Sequence, residues 1–148
     1  MGPHRYSLRF CTESRWAVFA DAPVVELVLT HFLQQAEEQG FAILAYCFMP
    51  DHVHLLIQGL SADSDCKRFI SRAKQFAGFF YKQQYKRKLW QRYGYERVMR
   101  DDEATIDAAR YILANPLRAG LVKDAREYQF TGSSMVTIDE LIEDLRTM

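Results

Sequence analysis

Phe41-Ala-Ile-Leu-Ala-Tyr-Cys-Phe48, Met49-Pro50-Asp51, His52-Val-His-Leu-Leu-Ile-Gln58 are two apolar segments joined by a three-residue break. The first segment is a dense apolar run that suits a strand buried on both faces. Met49 to Asp51 is a turn, and His52 to Gln58 reads as a second strand. Two strands joined by so short a turn form an antiparallel hairpin. Side chains two apart on a strand share a face, so His52 and His54 project together while Val53 points the other way, into the core.

Outward from the hairpin, Tyr6-Ser-Leu-Arg-Phe10 alternates apolar and polar residues as a short strand does. Pro23 opens a helix to about Gln39, with Val24, Leu27, Val28, Phe32 and Leu33 at helical spacing and Gly40 as its stop. On the other side, Ser61 to Ser64 supplies helix-cap chemistry. The helix that follows places Phe69, Ala73, Phe76, Ala77 and Phe80 on one stripe and most of its Lys and Arg elsewhere. Trp90 to Arg100 returns to strand-like composition. Asp101 or Asp102 caps a further helix that should end near Asn115, because Pro116 forbids continuation. Gly120-Leu-Val leads into a polar tail, with a short acidic helix at about 137–147. Strand, helix, strand, strand, helix, strand, helix is the split βαβ order of an α+β, ferredoxin-like fold, with an antiparallel sheet and helices on one face. The absence of repeats, linkers and low-complexity tracts predicts one domain, residues 1–148.

An apolar share of 49% is enough for a core and argues against disorder. No apolar run approaches the roughly 20 residues that a membrane helix needs. No hydrophobic signal core follows Met1 to Arg9, so a soluble, cytoplasmic, nucleoid-associated protein is expected. Cys11, Cys47 and Cys66 are an odd set without a C-x-x-C pair, which argues against a disulfide framework and a zinc knuckle.

The formal net charge of zero conceals strong polarity. From Lys67 to Arg100 there are eleven basic residues (Lys67, Arg68, Arg72, Lys74, Lys82, Lys86, Arg87, Lys88, Arg92, Arg97 and Arg100) against one acid, Glu96, a net +10. The remainder holds 8 basic and 18 acidic residues, a net −10. A basic stripe is the footprint of a polyanion partner, although such runs also occur as solvated helix faces. The interleaved aromatics Phe76, Phe79, Phe80, Tyr81, Tyr85, Trp90, Tyr93 and Tyr95 favour nucleic acid, because bases stack on such rings, and several of them must still be core.

Two imidazoles on one strand face make half of a divalent metal site and need a third protein ligand. Tyr111 and Asn115, four apart on a helix, share a face. Tyrosine is a weak nucleophile at its ordinary pKa of about 10 and needs a metal or base beside it. The amide oxygen of Asn115 is a candidate third ligand. Tyr81 and Tyr85, also four apart, are rivals as nucleophile, but Lys86-Arg-Lys88 follows them and suits strand binding.

Three blocks carry a family resemblance: Met49-Pro-Asp-His-Val-His-Leu-Leu56; Trp90-Gln-Arg-Tyr-Gly-Tyr95 with Val98-Met-Arg-Asp-Asp-Glu103; and Ala109-Arg-Tyr-Ile-Leu-Ala-Asn-Pro-Leu-Arg-Ala-Gly-Leu-Val122. In this order they resemble the single-tyrosine HUH transposases, and most of all the REP-associated tyrosine transposases, over roughly Tyr6 to Ser134. The resemblance implies a ferredoxin-like nuclease domain that nicks single-stranded, hairpin-bearing DNA and joins it through a 5′-phosphotyrosine. It implies His52, His54 and Asn115 as ligands of Mg²⁺ or Mn²⁺ and Tyr111 as nucleophile. The eleven basic residues above, with Arg118, are the expected DNA contacts. Asp51 stands where many members carry asparagine, which adds a negative charge beside the metal site. Related transposases include both monomers and homodimers, so either state is open. A catalytically idle hairpin-binding module and a metal-dependent RNA nuclease using water are the competing readings.

Overall fold

The computed structural model describes residues 1–147, and Met148, the last residue of the expected domain, lies outside them. The expected hairpin is present: β2 (Phe41–Met49) and β3 (His52–Gly59) pair antiparallel around Pro50 and Asp51. β1 (Arg5–Cys11) pairs with the other side of β3, and β4 (Tyr95–Met99) pairs with β1. A two-residue β5 (Thr131–Gly132), which the sequence reading missed, extends the sheet beside β2. The order is β4-β1-β3-β2-β5, with every pairing antiparallel. α1 (Ala22–Gln39) links β1 to β2, and α2 (Cys66–Tyr85) links β3 to β4, as a split βαβ fold requires. α3 (Asp102–Arg118) and α4 (Ile138–Thr147) follow.

Alternation along the strands sorts residues onto two buried faces. Tyr6, Leu8 and Phe10 of β1 and Val53, Leu55 and Ile57 of β3 pack with Val28 and Phe32 of α1 and Phe69 and Ala73 of α2. The other face carries Ala45, Cys47, Met49 and Leu56, which pack with Ala109 and Ile112 of α3, while Leu141 and Leu145 of α4 lie at the edge. The helices therefore cover both faces, not one. The cause lies in β2 and β3, which are apolar on both sides and need two covers. β2 serves both by a bulge: Ile43 pairs with Ile57 and Ala45 with Leu56, which leaves Leu44 unpaired. The extra residue moves the odd positions from the α1/α2 face to the α3 face.

Local chemistry explains most helix ends. Gly40 closes α1 at φ 74°, a left-handed conformation that glycine adopts without steric cost. Asp65, one residue beyond the expected Ser61–Ser64 segment, caps α2 by accepting from the Arg68 amide at 3.3 Å. Ser64 instead donates its hydroxyl to the Gly40 carbonyl at 2.7 Å and ties the two loops together. Asp101 caps α3 by accepting from the Ala104 amide at 2.7 Å.

Pro116 does not stop α3, which continues to Arg118. So near the helix end the proline forfeits one backbone bond, and the Ala119 amide closes onto Asn115 at 3.0 Å. On α2, Tyr81 is buried, whereas Phe80 is 37% exposed and stacks on His31. Of the strand-like Trp90–Arg100 segment only Tyr95–Met99 is strand, and Trp90 is a core residue whose indole donates to the Lys74 carbonyl at 3.1 Å. Among the described residues no helix is long and apolar enough to cross a membrane.

Ile112, 1% exposed, seats α3 on the sheet. Ile112→Ala should therefore lower stability by about 2–5 kcal/mol, read as a lower urea midpoint at unchanged slope. Phe80→Ala should cost clearly less, because its ring already meets solvent.

Candidate active site and nucleic-acid interface

Register builds the site. Val53 is fully buried toward α1 and α2, so its neighbours His52 and His54 face α3. Their rings lie 4.9 Å apart, centroid to centroid, and nearly perpendicular. Tyr111 projects from α3 toward them, its ring edge-on to His54 with centroids 6.2 Å apart. The tyrosine is 58% exposed, while His54 is 8% exposed. Asn115 sits one turn further along α3, half-buried. The four residues singled out for chemistry thus come from two elements that the α3-side core holds together.

Burial, with the nearby guanidinium groups of Arg9 and Arg118 acting in the same direction, pushes the His54 imidazole down to about 3. It is therefore neutral near pH 7, and neutral imidazole is the metal-binding form. His52 Nδ1 lies 2.7 Å from Asp51 Oδ1, and Asp51 Oδ2 accepts from Arg15 Nε at 2.9 Å. Partial burial works to raise the Asp51 carboxyl, but the hydrogen bonds from Arg15 and His52 outweigh it and hold the group below its ordinary value. Among the described residues, no three His, Cys, Asp or Glu form a metal-binding group. Two imidazoles and a neutral amide oxygen are nonetheless a donor set that suits a divalent cation with open positions for water or phosphate.

A cleft of about 710 Å³ runs from Tyr111 and His54 between the sheet and the first turns of α3. Ser7 and Arg9 of β1 and Tyr95, Arg97 and Met99 of β4 form its floor, and Arg100, Asp101, Glu103 and Asp107 its rim. Arg9 pairs in register with His54 on one side and Tyr95 on the other, with its guanidinium 5.5 Å from the Tyr95 ring. Sequence reasoning missed Arg9. The signal was its place with Ser7 on the polar side of β1, which gains meaning only once β1 is known to pair with β3.

The basic segment does not form one surface. Arg97 and Arg100 line the cleft. Lys67, Arg68, Arg72 and Lys82 are exposed on α2, across the sheet from Tyr111. Lys74 is half-buried: its amine donates to the Gln91 carbonyl at 3.2 Å and lies 5.3 Å from the Phe10 ring centre, so it is a packing residue rather than a free contact. Lys86, Arg87 and Lys88 follow α2, where Lys88 pairs with Glu13 at 3.5 Å and Arg87 lies over Trp16. Arg92 lies over the exposed ring of Tyr93. Arg118 stacks on Tyr111, its guanidinium carbon 3.7 Å from the ring centre, and donates to the Tyr111 carbonyl at 2.8 Å. Of the expected stacking aromatics, Tyr81 and Trp90 are core, while Phe79, Phe80, Tyr93 and Tyr95 reach solvent.

Known proteins share the sequence pattern and the fold. The sequence profile described as Transposase IS200 like matches residues 3–115. A Haemophilus influenzae protein described as a REP-associated tyrosine transposase is 30% identical over 111 residues, covering 68% of this chain and 63% of that protein. The chain thus spans less than two thirds of the length of this relative. A solved structure of a REP-associated tyrosine transposase bound to a REP hairpin superposes with a TM-score of 0.77 at 17% identity, covering 88% of this chain and 77% of the other. A Deinococcus radiodurans protein described as a transposase gives 0.59 at 20% identity, covering 76% of this chain and 90% of that one. The two structures share the fold, and the matches in sequence go further: the chain belongs to the IS200-like transposase family.

Proposed function

We propose that this transposase-family chain is a metal-dependent endonuclease of single-stranded DNA that cuts and rejoins through a 5′-phosphotyrosine. The observation that carries the reading is the edge-on approach of Tyr111 to the His52–His54 pair, with centroids 6.2 Å apart at His54. His52, His54 and Asn115 would hold Mg²⁺ or Mn²⁺. Such a cation, when bound, draws charge from an oxygen of the scissile phosphate and lowers the barrier to attack.

Tyr111 Oη attacks phosphorus in line: its bond to phosphorus forms, the bond to the 3′-oxygen breaks, and the 3′-hydroxyl leaves after gaining a proton. The phenolic proton passes to solvent at the exposed ring. The phosphodiester is conserved as a tyrosyl ester, so attack by another 3′-hydroxyl rejoins DNA without a nucleotide cofactor. Arg118, stacked on the face of the nucleophile's ring, holds the ring and adds a cation beside it. Arg9, Arg97 and Arg100 offer backbone contacts along the cleft, and Tyr95 offers a face on which a base can stack. Hairpin-bearing DNA is the proposed substrate, since a solved transposase of the same fold is bound to a REP hairpin.

Tyr111→Phe should abolish cutting and the covalent adduct on a denaturing gel while leaving affinity for a labelled hairpin strand nearly unchanged. Undiminished cutting by that variant excludes the covalent route and favours a water nucleophile. His52→Ala, His54→Ala and EDTA should each remove activity, with partial rescue of the single variants by excess Mn²⁺. A wild-type chain that binds hairpins yet never cuts them in either metal supports an idle binding module.

Salt dependence locates the strand. For single strands log K changes by about 0.7 per phosphate contact for each unit of log salt. Arg9→Gln or Arg97→Gln should flatten the slope by roughly that amount. Arg68→Gln with Arg72→Gln, on the opposite face, should leave it unchanged. The reverse pattern places the DNA on α2.

A further inference from the structure

Ser14 and Arg15 are consecutive non-glycine residues at φ 54° and 55°, a region that L side chains seldom occupy. The turn that contains them is fastened on several sides. The buried Thr12 donates its amide to the Asp51 carbonyl at 3.0 Å, and its hydroxyl lies 3.1 Å from the same carbonyl and 2.8 Å from that of Trp16. The Glu13 amide donates to the Leu89 carbonyl at 2.8 Å. Backbone strain of this kind persists where the surroundings over-determine it. What the turn delivers is the Arg15 guanidinium, with Nε 2.9 Å from Asp51 Oδ2, while Asp51 Oδ1 meets His52 Nδ1 at 2.7 Å.

An ionised carboxylate only accepts hydrogen bonds, so the Asp51–His52 contact requires the imidazole proton on Nδ1. A neutral ring in that tautomer carries its lone pair on Nε2, the atom free to ligate a cation. His52, His54 and Asn115 are all neutral as donors, and no further carboxylate joins them among the described residues. Asp51 therefore acts on the site through the His52 ring, one imidazole away from the donor atoms, and Arg15 pins its second oxygen. Arg15 and Asp51 have side chains 52% and 29% exposed, and an ion pair so open to water contributes little to folding.

We propose that Asp51, held by Arg15 on its strained turn, is a positioning residue that locks His52 in the Nδ1–H tautomer and aims Nε2 at a divalent cation. The inference rests on the proposed metal reading and deepens it.

The test titrates Mn²⁺ alone into the chain by calorimetry, without DNA, and records the nitrogen-15 imidazole spectrum of the metal-free protein. In the wild type His52 should show a protonated Nδ1 and an unprotonated Nε2. Asp51→Ala should lose that tautomer preference and bind Mn²⁺ about 10–100-fold more weakly, with an unfolding midpoint close to wild type. Asp51→Asn keeps one acceptor for the ring and should recover the tautomer and most of the affinity. Arg15→Ala should weaken binding by a smaller factor than Asp51→Ala. Wild-type affinity in Asp51→Ala, or a His52 tautomer unchanged in that variant, overturns the positioning role. An Asp51→Asn variant as weak as Asp51→Ala also overturns it, since charge rather than orientation would then govern binding. Failure of the wild type itself to bind Mn²⁺ is a distinct result: it removes the metal reading, and the positioning role falls with it.

Discussion

The antiparallel register of β1 against β3 decides which side chains meet at the candidate site. With Phe10 opposite Val53 and Arg9 opposite His54, one strand pair divides its side chains cleanly between two environments. One row enters the aromatic core under α1 and α2, and the other forms a polar floor under α3. Strand periodicity of two makes this all-or-none: a slip by one residue would send both histidines into hydrocarbon and Val53 and Leu55 into the cleft. Dense packing behind Val53, Leu55 and Ile57 therefore fixes register as well as stability, and register fixes which groups share the candidate site.

Much of this was legible because it is local. The hairpin, the spacing of His52 and His54, the α-helical interval from Tyr111 to Asn115 and the cap at Asp101 each depend on a few consecutive residues. What escaped reading depends on distant partners. The second helix layer follows from Leu56 and from the bulge at Leu44, and an apolar run conceals both. β5 is two residues held by pairing with Tyr46 and Cys47, too short for any periodic signal. Arg9 and Arg15 are lone arginines whose neighbours, His54 and Asp51, lie about forty positions away. Pro116 misled in the opposite sense, since a helix near its end tolerates the loss of one backbone bond.

Charge tells a similar story. Eleven basic residues in one segment suggest one face, yet the chain leaves α2, crosses an end of the sheet and returns as β4, so the charges part company. Some are consumed at once: Lys74 by Gln91 and Phe10, Lys88 by Glu13, Arg87 by Trp16 and Tyr81. The cleft draws its cations from three separate places, with Arg9 on β1, Arg97 and Arg100 at β4, and Arg118 beyond its end on Tyr111. Its acidic rim, Asp101, Glu103 and Asp107, lies on the first turns of α3, where carboxylates also favour the helix dipole.

The layer between α3 and the sheet sets slight side chains beside the larger Met49, Leu56 and Ile112. Past the bulge, β2 presents Ala45 and Cys47 to a helix that answers with Ala108 and Ala109. This layer is the shim between two plates, one carrying the tyrosine and the other the histidines. Its thickness is measured in methyl groups, and close-packed interiors yield little when a methyl is added. The separation of the reacting groups is thus gauged in part by apolar residues with no polar side-chain role in the site. A methyl added at Ala45 or Ala109 would leave every polar residue of the site in place and still set its two halves at a different gap.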